Sequence, residues 1–275
     1  MIKITKQNGE LEDFDPNKLR DSLLRSKASE ELTEEIIAHV EKELREGMGT
    51  DQIYKHAFFL LEKKSKPVAL SYSLRRAILT LGPSGFPFEK YLGEILKEKG
   101  YTVKTDQIIR GKCAEHEIDV IAYNKNKLIA IEAKFHNSLG VKSDLKTALY
   151  VKARSEDLAN IEFDYGGKRK FDENWLVTNT KFSSSAINYG KCAGMIMIGW
   201  NYPNQGNLQD IIQDSGLHPI TCLQSLSNTQ KTAILSSGTV LCKSLRPDSE
   251  VLKSLRLNKE KLEEIGKEVS VVCPI

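Results

Sequence analysis

The stretch Glu117–His136, EIDVIAYNKNKLIAIEAKFH, contains two apolar runs on either side of a polar loop at residues 124–127. Both runs are rich in isoleucine and other residues that favour strands, and the loop is rich in asparagine, so the stretch predicts an antiparallel β-hairpin. Side chains alternate across a strand, which places Glu132 and Lys134 on one face together with Leu128 and Ala130. The hairpin therefore carries charge on an otherwise apolar element.

A hairpin loop of two or four residues puts Asp119 opposite Glu132, and Glu117 opposite Lys134. Directly opposed residues have Cβ atoms roughly 4.5–5.5 Å apart, and opposed like charges destabilise a sheet. A hard divalent cation with oxygen ligands, Mg²⁺ or Mn²⁺, would relieve that repulsion. Lys134 could then orient or deprotonate a metal-bound water, or stabilise charge at phosphorus. The alternative is a half-exposed hairpin with ordinary surface charges, which the apolar surroundings disfavour.

This arrangement resembles the PD-(D/E)xK nuclease superfamily, and within it the Mrr-like restriction endonucleases. The resemblance rests on Phe88-Glu89, Gly100-Tyr101, Glu117-Ile118-Asp119 and Glu132-Ala133-Lys134, which follow the family's order and spacing. It implies an αβα core with a mixed sheet and metal-dependent hydrolysis of DNA.

The same resemblance implies a role for each matching residue. Asp119 and Glu132 would hold the metal, Lys134 would attend the attacking water, and Glu89 would complete or orient the site. From the sequence alone, Glu89 is equally well explained as an acid in the first turn of a helix, where the helix dipole favours it. Ile118 stands where the family usually has proline.

The first eighty residues predict a mostly helical unit. A short β pair with an Asn8-Gly9 turn precedes four amphipathic helices, which are expected to begin at Asp15-Pro16, Thr33, Thr50 and Pro67. Basic residues on such helices are usually solvated. The hypothesis is that four of them form one anion site: Lys6, Lys18, Arg75 and Arg76.

The segments IKITKQNGELEDFDPNKL, TDQIY and YSLRRA resemble the ATP-cone, a nucleotide-sensing module of ribonucleotide reductases and their repressors. The resemblance implies that ATP or dATP binds as an allosteric ligand. The matching positions are Lys6, Gln7, Lys18, Thr50 and Tyr54, with Lys6 and Lys18 meeting phosphates and Thr50 adding backbone donors at a helix start. Gln7 stands where the family usually has a second basic residue.

These patterns divide the chain into an ATP-cone at 1–82, a nuclease-like domain at 83–222 and a helical segment at 223–275, so the fold class is multi-domain α/β. The apolar runs Trp175–Thr178 and Met195–Trp200 predict parallel, doubly covered strands. The stretch Ile234–Val240 resembles a helix-hairpin-helix motif, whose backbone N–H groups would hold a DNA phosphate. A helical cap on the nuclease-like domain is the open alternative.

Composition limits the kind of nucleic-acid site and the cellular location that the sequence predicts. Charged residues make up 28 % of the chain while the net charge is only +3, so any nucleic-acid site must be a local patch. The five cysteines form no C-x-x-C pair, there is no signal-peptide pattern, and the most apolar run, Ala193–Trp200, is too short to span a bilayer. These features predict a cytoplasmic protein without a membrane segment.

The sequence thus predicts a nucleotide-regulated, Mg²⁺-dependent DNA endonuclease whose partners are DNA and an adenine nucleotide, with self-association as a further outcome. The alternative is an ATP-responsive DNA-binding regulator with a catalytically silent nuclease fold.

Overall fold

The computed structural model describes residues 2–246 and 248–273. The strands, in chain order, are β1 (Lys3–Thr5), β2 (Leu11–Asp13), β3 (Thr102–Arg110), β4 (Glu115–Tyr123), β5 (Leu128–Lys134), β6 (Lys142–Ser143), β7 (Phe163–Asp164), β8 (Lys168–Arg169), β9 (Glu173–Thr178), β10 (Lys181–Phe182) and β11 (Ile196–Ile198). The helices are α1 (Pro16–Arg25), α2 (Glu30–Glu43), α3 (Thr50–Lys64), α4 (Lys66–Leu79), α5 (Phe86–Glu98), α6 (Leu145–Leu158), α7 (Ser184–Cys192), α8 (Leu208–Ser215), α9 (Asn228–Ser236), α10 (Glu250–Ser254) and α11 (Lys259–Val272).

The N-terminal unit consists of the β1–β2 hairpin and the helices α1 to α4. Asp15 caps α1 by accepting a hydrogen bond from the Asn17 backbone N–H, as the Asp-Pro pattern predicts. The expected start of the second helix is wrong by one turn. Ser29 accepts from the Leu32 N–H and starts α2 three residues earlier, which leaves Thr33 buried inside the helix.

A five-stranded mixed sheet forms the centre of the molecule, in the order β11-β9-β5-β4-β3. Strands β3, β4 and β5 pair antiparallel. Strands β5, β9 and β11 run parallel to one another, as the apolar runs predict for β9 and β11. Helix α5 packs on one face and α6 and α7 on the other, which gives the expected αβα arrangement.

Helix α4 belongs to two hydrophobic cores. Ala69 and Tyr72 pack with the N-terminal helices, whereas Leu74, Ile78 and other residues of α4 pack with α5 and the sheet. The Thr221 hydroxyl also donates to the Ala77 carbonyl over 2.6 Å. The N-terminal unit is therefore joined to the rest through a shared helix and not only through the short linker after it.

The C-terminal segment packs on the same core as α5 and the sheet, with Ile234, Leu252, Ile265 and Val272 all buried there. The hairpin expected after α9 differs from a helix-hairpin-helix motif. The Gly238 and Thr239 N–H groups close the end of α9, by donating to the carbonyls of Leu235 and Ile234. Leu241 then bridges to Pro219, where the motif requires a second helix. This geometry matches the helical-cap alternative.

Within 2–246 and 248–273, the structure contains no helix whose length and hydropathy would let it cross a bilayer.

Candidate active site and nucleotide cavity

Asp119 lies at an interruption in the central sheet. The β4–β5 ladder has the predicted register but ends at Val120 opposite Ile131, one step before Asp119 would pair with Glu132. Asp119 also leaves the ladder on its other side, where Asp106 of β3 adopts a left-handed backbone with φ of 52°. The Asp119 carboxylate instead accepts the backbone N–H of Ala133, over 2.7 Å. The expected direct pair is thus replaced by a side-chain contact across the same two strands.

Glu132 is held between two cations. One carboxylate oxygen lies 2.6 Å from the Lys134 amino group, and the other lies 2.6 Å from a guanidinium nitrogen of Arg154 on α6. Burial alone would raise the pKa of Glu132, but Arg154 and Lys134 outweigh it, so the pKa is lowered. Lys134 is only half-buried, and its pKa is raised because the contact with Glu132 outweighs desolvation. Both groups are therefore charged at neutral pH.

Glu89 approaches the same site from the first turn of α5. The Glu89 carboxylate lies against Gly85, the residue before α5, because a Cβ atom built at Gly85 would be 2.8 Å from a carboxylate oxygen of Glu89. Desolvation, followed by the charges of Asp119 and Asp106, raises the pKa of Glu89 to about 7. Desolvation and then the Glu132 charge raise the pKa of Asp119 to about 6. Glu89, Asp106 and Asp119 thus form a negative cluster beside the Glu132 ion pairs.

The donors at this site fit a hard divalent cation. Asp119 and Glu132 offer only oxygen ligands. Desolvation first and neighbouring carboxylates second raise the pKa values of Asp119 and Glu89, so a nearby cation would favour the ionised form of both groups. Mg²⁺ commonly uses one or two protein carboxylates and completes its shell with water and phosphate. In the described part of the chain these carboxylates do not converge into a three-residue ligand set. The set that does is His39, Glu43 and His56, on the surface of α2 and α3.

A cavity of about 840 Å³ opens in the N-terminal unit. All five residues predicted to bind nucleotide line it, together with both arginines of the proposed anion site: Lys6, Gln7, Lys18, Thr50, Tyr54, Arg75 and Arg76. The loop 139–142, which belongs to the nuclease-like domain, forms another wall. The cavity therefore lies between the two domains.

The two predicted phosphate lysines are already paired inside this cavity. The Glu12 carboxylate lies 3.1 Å from the Lys6 amino group and 3.2 Å from that of Lys18. Glu10 adds a longer contact of 3.4 Å to Lys6. An incoming phosphate would have to compete with Glu12 for both lysines.

Tyr54 is also engaged. Its ring stacks on Tyr72 with centroids 5.0 Å apart, and the Arg76 guanidinium lies 3.6 Å from its centroid. Arg76 in turn pairs with Asp51. Thr50 is the first residue of α3, and Gly49, not Thr50, occupies the cap position. The N–H groups of the first turn of α3 therefore lie at the cavity wall.

Arg154 is a member of this candidate site that the sequence analysis did not single out. A signal was available, because Arg154 follows Val151 by three residues and precedes Leu158 by four. It therefore falls on the apolar stripe of α6, where Ala148, Val151 and Leu158 are buried. A charged residue on such a stripe requires a buried partner, and that partner is Glu132.

Comparisons with known proteins agree with these features. Family models match the chain over three successive ranges: the ATP cone domain over 2–79, the restriction endonuclease family over 82–199, and the AF1548-like C-terminal family over 218–273. The resemblances to the ATP-cone and to Mrr-like nucleases are thereby confirmed, and so is the mixed α/β fold class.

An uncharacterized protein of Archaeoglobus fulgidus is 34 % identical over 182 residues, which cover 66 % of this chain and 99 % of the relative. The crystal structure of a protein of unknown function, AF1548, is similar with a TM-score of 0.55 and 32 % identity, over 69 % of this chain and 98 % of that one. The DNA modification-dependent restriction endonuclease AspBHI matches at a TM-score of 0.34 and 16 % identity, over 61 % of this chain and 39 % of its own.

Proposed function

Because the chain belongs to the AF1548-like family and joins an ATP cone to a restriction endonuclease-like domain, we propose that it is a nucleotide-regulated, metal-dependent DNA endonuclease. The observation that carries the proposal is the placement of Asp119, Glu132 and Lys134 at one point of the sheet, with charges that fit a divalent cation. The proposed setting is the cytoplasm, where DNA and adenine nucleotides are both present.

In this proposal Asp119 and Glu132 hold Mg²⁺ or Mn²⁺, which supplies Lewis-acid activation of water and neutralises charge on the scissile phosphate. Lys134 keeps its proton, because the adjacent Glu132 raises its pKa. Its ammonium group therefore orients the attacking water or stabilises charge at phosphorus, rather than removing a proton. The sequence analysis also left open the deprotonation of water by Lys134, and the ion pair with Glu132 argues against that role.

Glu89 has a different task. A group whose pKa is about 7 exchanges protons readily at neutral pH, which suits a general base. A bound cation would lower that pKa, because opposite charge favours the ionised carboxylate. Glu89 then either accepts the proton of the attacking water or adds a further oxygen ligand at the site.

Arg154 is a positioning residue in this scheme. It bonds both the Glu132 carboxylate and, over 3.0 Å, the Glu117 carbonyl, so it ties α6 to the two strands that carry Asp119 and Glu132. This contact fixes the orientation of the Glu132 carboxylate before any cation arrives.

The second candidate is a DNA-binding regulator with a silent nuclease fold. One observation favours it: Lys134 and Arg154 already occupy both oxygens of Glu132, so this carboxylate is neutralised without a metal. The nuclease is preferred because Asp119 and Glu89 lie close enough that neighbouring carboxylates add to desolvation in raising both pKa values, and a cation at this point would offset that repulsion.

A nicking assay separates the two candidates. Supercoiled plasmid is incubated with the wild type and Mg²⁺ or Mn²⁺, with EDTA as the metal-free arm, and DNA binding is measured in parallel. Lys134→Ala should abolish cleavage and leave binding in place, because Lys134 acts mainly in the transition state. The matched control is Lys125→Ala, an exposed lysine in the loop of the same hairpin. Cleavage by Lys134→Ala at the wild-type rate would exclude the proposed role.

ATP is proposed as a regulator and not as a fuel, because the sequence contains no G-x-x-x-x-G-K-[ST] motif. Saturating ATP should change the nicking rate or the size of the oligomer several-fold without being hydrolysed. An unchanged rate and an unchanged sedimentation coefficient, with ATP bound by calorimetry, would contradict regulation.

A further inference from the structure

Two lysines of the nuclease-like domain lie side by side, and one of them lines the proposed nucleotide cavity. Lys142 of β6 pairs with Lys181 of β10 in a two-stranded parallel sheet, and Lys142 lines the cavity. Directly opposed like charges destabilise a strand pair. Within the part of the chain that the structure describes, neither lysine has a carboxylate within 4.0 Å.

Basic residues of the ATP cone face this pair. Lys18, Arg25 and Arg75 are close enough to Lys181 that, after desolvation, their charges and that of Lys142 lower its pKa. Arg75 also lacks an acceptor: its Nε is buried and has no hydrogen-bond partner among the described residues. Arg75 also lines the cavity. Lys18, Arg75 and Lys142 line the cavity, and Lys181 lies beside Lys142 in the strand pair, so cations from two domains meet at this wall of the cavity.

A compact polyanion is the ligand that these observations fit. Guanidinium and ammonium groups that converge from several directions stabilise phosphate oxygens through charge-assisted hydrogen bonds. The cavity is concave, is bounded by aromatic and apolar side chains of the cone, and has the volume of a small-molecule site. Those walls favour a nucleotide over the backbone of DNA.

We propose that Lys142 and Lys181 of the nuclease-like domain bind the polyphosphate of the adenine nucleotide, so that the ligand site is completed by the domain it regulates. This inference rests on the proposed nucleotide binding and adds residues that lie outside the ATP cone.

The position of Lys142 links the ligand to the active site. The next residue, Ser143, donates a hydrogen bond to the Thr178 hydroxyl over 3.2 Å, and Thr178 donates to the Lys134 carbonyl over 2.8 Å. The loop between β5 and β6 spans the same two points, and Gly140 within it has a φ of 95° that favours glycine. Two hydrogen bonds, through Ser143 and Thr178, therefore connect the strand that carries Lys142 to the backbone of Lys134. A phosphate bound by Lys142 would act on the active site through this connection.

The test measures nucleotide binding to the full chain by calorimetry, without cleavage, and measures DNA binding in a separate titration. The probes are ATP, ADP, AMP and adenosine, offered to the wild type, Lys142→Ala and Lys181→Ala. Each variant should bind ATP roughly tenfold or more weakly, as expected for the loss of a charged hydrogen bond, and should bind adenosine like the wild type. The preference for ATP over AMP should shrink accordingly. Lys146→Ala, an exposed lysine on α6, is the matched control.

Three results would overturn the inference. ATP affinity equal to that of the wild type in both variants would exclude the two lysines from the site. An equal loss for ATP and adenosine would indicate general damage to the cavity. A loss of DNA affinity with unchanged ATP affinity would assign the lysines to a nucleic-acid backbone. A wild type that binds no ATP would instead contradict the proposed regulation, and leave the nuclease proposal to the nicking assay.

Discussion

The guanidinium of Arg154 and the carboxylate of Glu132 form a buried ion pair of 2.6 Å, in which both side chains are only 5 % exposed. The desolvation of two such charges is repaid only when each finds further polar partners. Glu132 has a second partner in the Lys134 amino group, and Arg154 has one in the Glu117 carbonyl, to which it donates a hydrogen bond. The carboxylate of Glu132, which we propose as a metal ligand, is thus fixed by the packing of α6 on the sheet.

Arg154→Ala should destabilise the protein by about 3–5 kcal/mol, because it leaves a buried carboxylate with one partner. It should also reduce cleavage strongly, since Glu132 loses its orientation. Urea unfolding and the nicking assay measure the two effects.

The matched control for that substitution is Lys152→Ala, two residues earlier on α6. Its contact with Glu156 is 3.6 Å and largely exposed, so its removal should change stability by less than about 1 kcal/mol. A loss of similar size in both variants would contradict the special role of the buried pair.

The contribution of Asp119 and Glu89 to stability should fall as pH rises when no divalent cation is present. The folded-state pKa values of Asp119, about 6, and Glu89, about 7, lie above their ordinary values of 3.8 and 4.5. The folded state therefore binds more protons than the unfolded state in this range, so the favourable contribution is complete below about pH 4 and is lost by about pH 7. Carboxylates with lowered pKa, such as Glu132 and Asp51, act in the opposite direction, so the contribution is read from urea midpoints in EDTA as the difference between the wild type and Asp119→Asn.

Asp119→Asn should flatten that decrease, because it removes one titrating group and lowers the pKa of Glu89. His136 acts in the opposite direction, since desolvation and then Lys134 lower its pKa from 6.5, so only the difference between wild type and variant is diagnostic. Glu162→Gln, an exposed surface change, should keep the wild-type slope. Identical slopes in wild type and Asp119→Asn would refute the assignment.

Mg²⁺ should stabilise the protein by mass action, by about 2.7 kcal/mol at a concentration one hundred times its dissociation constant. Asp119→Asn should lose this effect. Thermal unfolding with and without Mg²⁺ measures it, and Mn²⁺ provides a second arm.

The surface set of His39, Glu43 and His56 is a possible source of error in that experiment, because imidazole nitrogens bind Mn²⁺ better than they bind Mg²⁺. The Mn²⁺ arm should therefore be repeated in a His56→Ala background. Stabilisation that vanishes with His56→Ala and survives Asp119→Asn would place the cation on the surface of α2 and α3.

The sequence predicted the elements of the site better than their contacts. The hairpin register and the parallel strands follow from alternation and apolar runs, which are local properties, whereas the residues lining the cavity follow from the resemblance to the ATP-cone. The interruption at Asp119 does not, because it depends on a left-handed residue, Asp106, in a different strand. The contacts between the two domains do not follow from local properties either. Helix α4, shared by two cores, and the loop 139–142 became visible only once distant segments were packed together.

Glu12→Gln should increase the affinity for ATP several-fold. The Glu12 carboxylate holds Lys6 and Lys18, and these two contacts outweigh burial and lower its pKa, so it is ionised at neutral pH and competes with a phosphate. A neutral amide keeps the shape of the side chain and releases both lysines, which gives the nucleotide two more cationic partners. Calorimetry with ATP and adenosine measures the change, and adenosine should be unaffected.

Glu10→Gln is the matched control for that experiment. Glu10 is more exposed than Glu12, with a side chain 66 % accessible, and it reaches only Lys6, so solvent already screens its charge and the affinity for ATP should change little. If Glu12→Gln instead weakens ATP binding, Glu12 positions the lysines or contacts the nucleotide itself, and the competition between carboxylate and phosphate is refuted. If both substitutions strengthen ATP binding equally, the gain in affinity comes from the net charge at the cavity. The specific contact of Glu12 with Lys6 and Lys18 would then not contribute to it.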